Sequence, residues 1–238
     1  MSKILVATAT YNEVKNIKNL IKKICQVNKN LDILVVDDNS PDGTANIIKK
    51  IKKKNLFLIF RKKKYGLDTA HKEIYNFAIK KKYKILITMD ADLAHDPKVI
   101  PKLLKYIKNY DCVVGSRYIK GGQNKLKGFR LLLSIFGNLL IKKILNIPLS
   151  EFTSSYRCFN LSTLKNFNFN EVNFKGYSFF MGTINLIYEK QYRIKEIPIT
   201  VYQRKNGKSK IPKIEIFRTL KNLIKIKFKQ IKLISYNI

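Results

Sequence analysis

The feature that most constrains this chain is an alternation. From Lys3 to Gly115, short runs of apolar β-formers take turns with longer stretches whose apolar residues recur every three to four positions. Lys3–Thr8, Asp32–Val36, Leu56–Phe60, the run from Ile85 and Cys112–Gly115 read as strands; Glu13–Val27, Thr44–Lys54, Thr69–Lys81 and Pro97–Lys108 read as helices. In the first helix Ile17, Leu20, Ile21 and Ile24 share one face. Such repetition predicts an α/β fold, a mainly parallel, Rossmann-like sheet flanked by helices on both faces. Ligands of these sheets bind beyond the carboxyl ends of the strands. Polar residues stand at three of those ends: Thr10, Tyr11, Asn12 and Glu13; Asp37, Asp38, Asn39 and Ser40; Asp90 and Asp92.

The third end is the most informative. Ile85–Met89 is a buried-strand pattern that delivers Asp90 and Asp92 to the rim, where two carboxylates at i and i+2 converge on one hard cation and would otherwise repel. Asp96 precedes Pro97 and reads as a helix N-cap, and His95 as structural. No glycine pattern of the dinucleotide-binding or P-loop kind occurs, so a metal at Asp90 and Asp92 takes over the neutralisation of phosphate. Cys25, Cys112 and Cys158 are widely spaced and read as buried thiols, without a disulfide framework or zinc site.

The second half changes character. Gly128–Leu145 is a strongly apolar helix in which Arg130, Ser134 and Asn138 recur every four residues as one polar stripe, placed to face an active site while the rest packs or touches lipid. Residues 1–210 form the main domain, and 211–238 a basic amphipathic C-terminal segment that either packs on it or lies on an anionic membrane. The N-terminus reads as strand and loop, not a signal peptide, and no window is apolar enough for a transmembrane helix. The net charge of +32 has two readings, compositional bias towards Lys or attraction to polyanions. A basic nucleic-acid-binding protein is the non-enzymatic alternative, but it leaves the acidic rim without purpose and lacks an aromatic-interleaved basic motif.

Taken together, TYNE at Thr10–Glu13, VVDDNSPDGT at Val35–Thr44, MDADLAHDP at Met89–Pro97, VGSRY at Val114–Tyr118 and GFRxxxSxxGN at Gly128–Asn138 resemble family 2 glycosyltransferases. More narrowly, the set is similar to polyprenol-phosphate sugar transferases of the dolichol-phosphate mannose synthase type, over nearly all of residues 3–210. The resemblance implies a GT-A fold. It implies that Tyr11, Glu13 and Asp37, with Thr10 and Asp38 on the same rim, hold the nucleotide, and that Asp90 and Asp92 bind Mg²⁺ or Mn²⁺ on the donor diphosphate. It gives Arg117, Arg130 and Ser134 to phosphate groups of acceptor and donor, and Arg204, helped by Lys210, to a late basic loop closing over the donor. Four positions depart from the family pattern: Ala9, Asp68, Ala94, and Ser155 in TSSYR, where TSGYR is expected.

The expected activity is inverting transfer of a hexose, mannose from GDP-mannose, to a dolichyl or undecaprenyl phosphate by a peripheral protein at the cytoplasmic face of a membrane, alone or beside a membrane partner subunit. Nucleic acid is not an expected partner. A phosphate monoester has a second pKa of about 6 and is already an anion, so it needs no base. The enzymatic alternatives are UDP-glucose or another donor, and a glycan hydroxyl acceptor. The latter requires a base carboxylate, for which Glu151 and Glu171 are the candidates.

Overall fold

The computed structural model describes residues 3–204 and 214–235. Its elements in chain order are β1 (Ile4–Thr10), α1 (Ile17–Val27), β2 (Asp32–Asp37), α2 (Thr44–Lys49), β3 (Leu56–Phe60), α3 (Leu67–Lys80), β4 (Ile85–Thr88), α4 (Ile100–Tyr106), β5 (Cys112–Ser116), β6 (Gln123–Asn124), α5 (Phe129–Leu145), β7 (Arg157–Asn160), α6 (Ser178–Glu189), β8 (Ile194–Pro198), β9 (Thr200–Val201) and α7 (Ile214–Ser235). Seven strands form one sheet in the order β3-β2-β1-β4-β7-β5-β8.

Only β7 runs against the rest of that sheet, pairing antiparallel with both β4 and β5. This reversal positions the site. A parallel strand offers the loop that follows it to the carboxyl rim, whereas a reversed strand offers the loop that precedes it. Thr88 at the end of β4 pairs with Arg157 at the start of β7, so Glu151–Tyr156 arrive beside Asp90 and Asp92.

Apolar residues cover both sheet faces. On one, Ile17, Leu20, Ile21 and Ile24 of α1 pack with Ile100 and Leu103 of α4 over Val6, Ile33 and Val35. On the other, α3, α5 and α6 enclose Phe152, Phe159, Phe167, Phe169, Phe179 and Phe180, and Leu223 and Ile226 bring α7 into the same core. Helix α1 starts later than its pattern predicts because Asn12 has a positive φ of 58° and Asn16 N–H closes a turn on the Glu13 carbonyl. Cys112 and Cys158 are buried as expected, and Cys25 is only partly so. Among the described residues no helix is long and apolar enough to cross a membrane.

Candidate active site

The first two rim loops are tied together by side chains acting as caps. Asn12 N–H donates to Ser40 Oγ (2.9 Å), Glu13 N–H to Thr44 Oγ1 (2.9 Å) and Val14 N–H to Asp42 Oδ2 (3.0 Å). Much of the NSPDGT run therefore shapes the backbone of TYNE. Tyr11 lies on the rim with Lys64 Nζ 3.9 Å from its ring centre. Glu13 is buried and accepts from Asn16 Nδ2 at 2.7 Å. Thr10 Oγ1 is buried at the end of β1 and makes no hydrogen bond among the described residues.

The two aspartates at the end of β2 sit deeper than a ligand-facing pair would. Asp37 is fully buried beneath the Ser40 turn, and burial raises its carboxyl above the usual range while bonds from Ser40 oppose the rise. Asp38 accepts from Arg61 Nε (2.9 Å) and Arg61 Nη2, and from the N–H groups of Tyr65 (2.8 Å) and Gly66 (2.8 Å). Its charge is matched by Arg61, and it anchors the lysine-rich loop ahead of α3. Gly66 turns there at φ 107°, a conformation costly for a side chain. Arg61 carries no sequence signal that pairs it with Asp38; only β2–β3 register brings the two together.

Asp90 and Asp92 stand beyond β4. The Asp90 side chain keeps 42% of its surface open to the cleft. Ser155 Oγ donates to its Oδ1 at 2.6 Å, and its own N–H donates to His95 Nδ1 at 3.2 Å. His95 is buried and stacked on Tyr156. Withdrawal from water in the cleft floor raises the Asp90 carboxyl and the Asp92 charge adds to that, while His95, Ser155 and Arg204 oppose it. Asp92 Oδ1 caps the Ala94 N–H at 3.0 Å, and Asp96 caps the Lys98 N–H at 3.0 Å with Pro97 following. Arg204 spans the cleft mouth, its Nε 3.1 Å from Asp92 Oδ2 and its Nη2 3.2 Å from Glu13 Oε1. Lys210 lies outside the described residues.

Arg117 follows β5 on the same rim. Its Nε and Nη2 grip Glu151 at 2.7 and 3.1 Å, and the carboxylate is wholly buried. Burial disfavours the Glu151 charge, but Arg117 and the bonds from Thr153 outweigh it and hold the carboxyl below its usual range. Burial also works against the guanidinium charge, which Glu151 outweighs, raising Arg117 above its ordinary value. Gly122 allows this placement, since a Cβ there would stand 2.7 Å from the Ser116 carbonyl oxygen.

On α5 the polar stripe splits. Asn138 is buried, donates to the Ser134 carbonyl (2.9 Å) and accepts from the Phe152 N–H (2.8 Å); the Tyr118 hydroxyl bonds Ser134 Oγ and donates to its carbonyl oxygen (2.9 Å). Arg130, near the helix start, is exposed and makes no hydrogen bond or ion pair among the described residues. Glu171 is salt-bridged to Lys190 at 2.9 Å.

The donor set suits a hard divalent cation: two carboxylates, one of them open, two residues apart at a strand end. No three metal-ligating side chains converge among the described residues, so further ligands would come from a diphosphate and water.

The chain is similar to known glycosyltransferases in sequence and in fold. The chain is 30% identical over 212 residues, 88% of its length and 87% of the relative's, to an undecaprenyl-phosphate mannosyltransferase of Micrococcus luteus. It is 32% identical over 233 residues, 94% of its length and 63% of the relative's, to a dolichol-phosphate mannosyltransferase of Pyrococcus furiosus. A mannosyltransferase of Pyrobaculum calidifontis, solved with GDP-Man and Mn²⁺, superposes with a TM-score of 0.63 at 18% identity over 97% of this chain and 64% of that one, which establishes the GT-A fold. A family model described as glycosyl transferase family 2 matches residues 5–167, and on that match the chain belongs to glycosyl transferase family 2.

Proposed function

We propose that this glycosyltransferase moves mannose from GDP-mannose to a polyprenyl phosphate, with inversion, at the cytoplasmic surface of a membrane. The observation that carries the reading is the state of the two carboxylates that a hydroxyl acceptor would require. Glu151 is buried and bound by Arg117, and Glu171 is bound by Lys190, so neither is poised to take a proton. A phosphate acceptor needs none, because its oxygen is already anionic near neutral pH. The names of the relatives point the same way, since each carries mannosyl transfer and a polyprenyl or dolichyl phosphate.

In this reading a phosphate oxygen of the acceptor attacks the anomeric carbon as the bond from that carbon to the donor diphosphate breaks. The lost electron pair leaves on the diphosphate. Mg²⁺ or Mn²⁺, when bound at Asp90 and Asp92, stabilises that charge as a Lewis acid. Arg117 brings the anions together with a charge already tempered by Glu151, and its forked donors match phosphate geometry. Arg130 stands uncommitted for the acceptor phosphate, with Ser134 one turn on. Thr10, Tyr11 and Glu13 line the nucleotide end, Asp37 and Asp38 hold that end in shape, and Arg204 with Lys210 closes over the donor.

The surface supports acceptance from a bilayer. Phe129, Leu132, Leu133, Phe136, Leu139 and Leu140 of α5 are exposed, as are Phe217, Leu220, Ile224 and Phe228 of the neighbouring α7. Apolar residues on two packed helices, flanked by Lys142, Lys143, Lys221 and Lys225, suit an anionic interface.

The test is transfer of labelled sugar into organic-extractable lipid from GDP-mannose and, separately, UDP-glucose. Label from GDP-mannose alone, lost with EDTA and reduced at least 100-fold in Asp92→Asn, is the expected result. Lipid label that survives both EDTA and Asp92→Asn would overturn the metal assignment, and label from UDP-glucose the donor assignment.

A further inference from the structure

Ser155 is where this chain departs from the family pattern and also where it touches the cleft chemistry, 2.6 Å from Asp90 Oδ1. We infer that Ser155 is a positioning residue that fixes Asp90 to bind its cation through one oxygen, and so sets which divalent ion the site prefers. The inference rests on the reading of Asp90 and Asp92 as the metal site.

The backbone that carries the hydroxyl is fastened on both sides. The Ser155 carbonyl accepts from Thr88 Oγ1 of β4 at 2.6 Å. The Ser154 carbonyl accepts from Arg157 Nε at 2.8 Å, and the Tyr156 carbonyl from the Gly115 N–H of β5 at 2.9 Å. Ser155 is itself buried. The next residue braces Asp90 a second way: Tyr156 stacks on His95, whose Nδ1 accepts the Asp90 N–H. Main chain and carboxylate of Asp90 are thus both held by the Ser155–Tyr156 pair.

The chemical consequence follows from the orientation. With Oδ1 engaged by a donor from within the protein, Oδ2, which lies 3.7 Å from His95 Nδ1, is the oxygen left for a cation in the cleft. One-oxygen binding favours small ions of octahedral demand, Mg²⁺ and Mn²⁺, whereas Ca²⁺ takes higher coordination and accepts bidentate carboxylates. Partners of ligating carboxylates commonly shift metal affinity by roughly 10- to 100-fold. Without the hydroxyl, Asp90 is free to turn and offer both oxygens.

The experiment measures binding of Mn²⁺ and Ca²⁺ to the full chain in the presence of GDP, by the electron paramagnetic resonance signal of free Mn²⁺ and by Ca²⁺ competition. Wild type, Ser155→Ala, Ser155→Gly and Asp92→Asn are compared, with metal-free GDP affinity as the check that the rim is intact. The expected result is that both Ser155 variants keep GDP affinity and raise the Ca²⁺-to-Mn²⁺ affinity ratio at least threefold, while Asp92→Asn loses both ions. An unchanged ratio in the Ser155 variants, with Asp92→Asn still losing both ions, overturns the role of Ser155 and leaves the metal site standing. Equal metal binding by wild type and Asp92→Asn overturns the metal site and this inference with it.

Discussion

His71 shows how far a single side chain's behaviour is set by its surroundings. It lies on α3, buried against Phe179 and Phe180. Burial, with the Arg157 charge in support, lowers its pKa from 6.5 to about 3. The unfolded chain takes up the proton first as pH falls, so the stability this neutral imidazole allows is complete above 6.5 and is lost progressively below it. By about pH 5 the loss is roughly 2 kcal/mol. Urea unfolding of wild type and His71→Leu at neutral pH and near pH 5 checks this: the wild type should lose that much more than the variant, and parallel losses would refute it. Asp90, Asp92 and Glu13 were legible in the sequence as rim residues because strand-end position marks the rim, whereas Arg204 came only from the family resemblance. The partners of Asp38 and Asp90, Arg61 and Ser155, were not, because each pairing depends on which strands lie side by side.

At the scale of elements, the reversed β7 and helix α5 carry most of what periodicity leaves open. A four-residue run such as Arg157–Asn160 has no signal for direction, yet its antiparallel pairing decides that the TSSYR loop reaches the rim beside Asp90 and Asp92. Arg157 then becomes structural: it is buried, and its guanidinium donates to the carbonyls of Ser154, Phe180 and Phe152 at 2.8 Å each. In α5 the polar stripe of Arg130, Ser134 and Asn138 was legible, and the structure turns Ser134 and Asn138 inward, leaves Arg130 exposed and puts the apolar face outward. Phe129 is 75% exposed and Phe136 65%, the reverse of an ordinary surface helix. Replacing both Leu132 and Phe136 by Asp should lower binding to anionic vesicles more than tenfold, since each large apolar side chain withdrawn from water contributes about 1.5–3 kcal/mol. Transfer to a short, water-soluble isoprenyl phosphate should persist. Vesicle cosedimentation and the two assays side by side test this, and unchanged vesicle binding would remove α5 from the interface.

Over the whole molecule, the α/β alternation of the first half placed β1 to β5 and the helices between them in the right order, although α2 stops at Lys49 and α4 spans only Ile100–Tyr106, both shorter than their patterns. The second half was legible as two helices but not as a continuation of the sheet, since β7 is reversed and β8 follows only after α6, outside the regular strand–helix alternation. Little of the +32 charge is spent in the cleft, where Arg117 and Arg61 are matched by buried carboxylates. What remains is a lysine-rich exterior suited to an anionic surface. The central proposal is that this cleft transfers to a phosphate because, among the described residues, Glu151 and Glu171 are both committed to ion pairs. The most direct measurement offers the protein GDP-mannose with a polyprenyl phosphate, the same polyprenol without phosphate, and a soluble mannoside. Product from the phosphate alone, with inverted configuration at the anomeric carbon, is the predicted result; mannose transferred to the alcohol or the mannoside would contradict it.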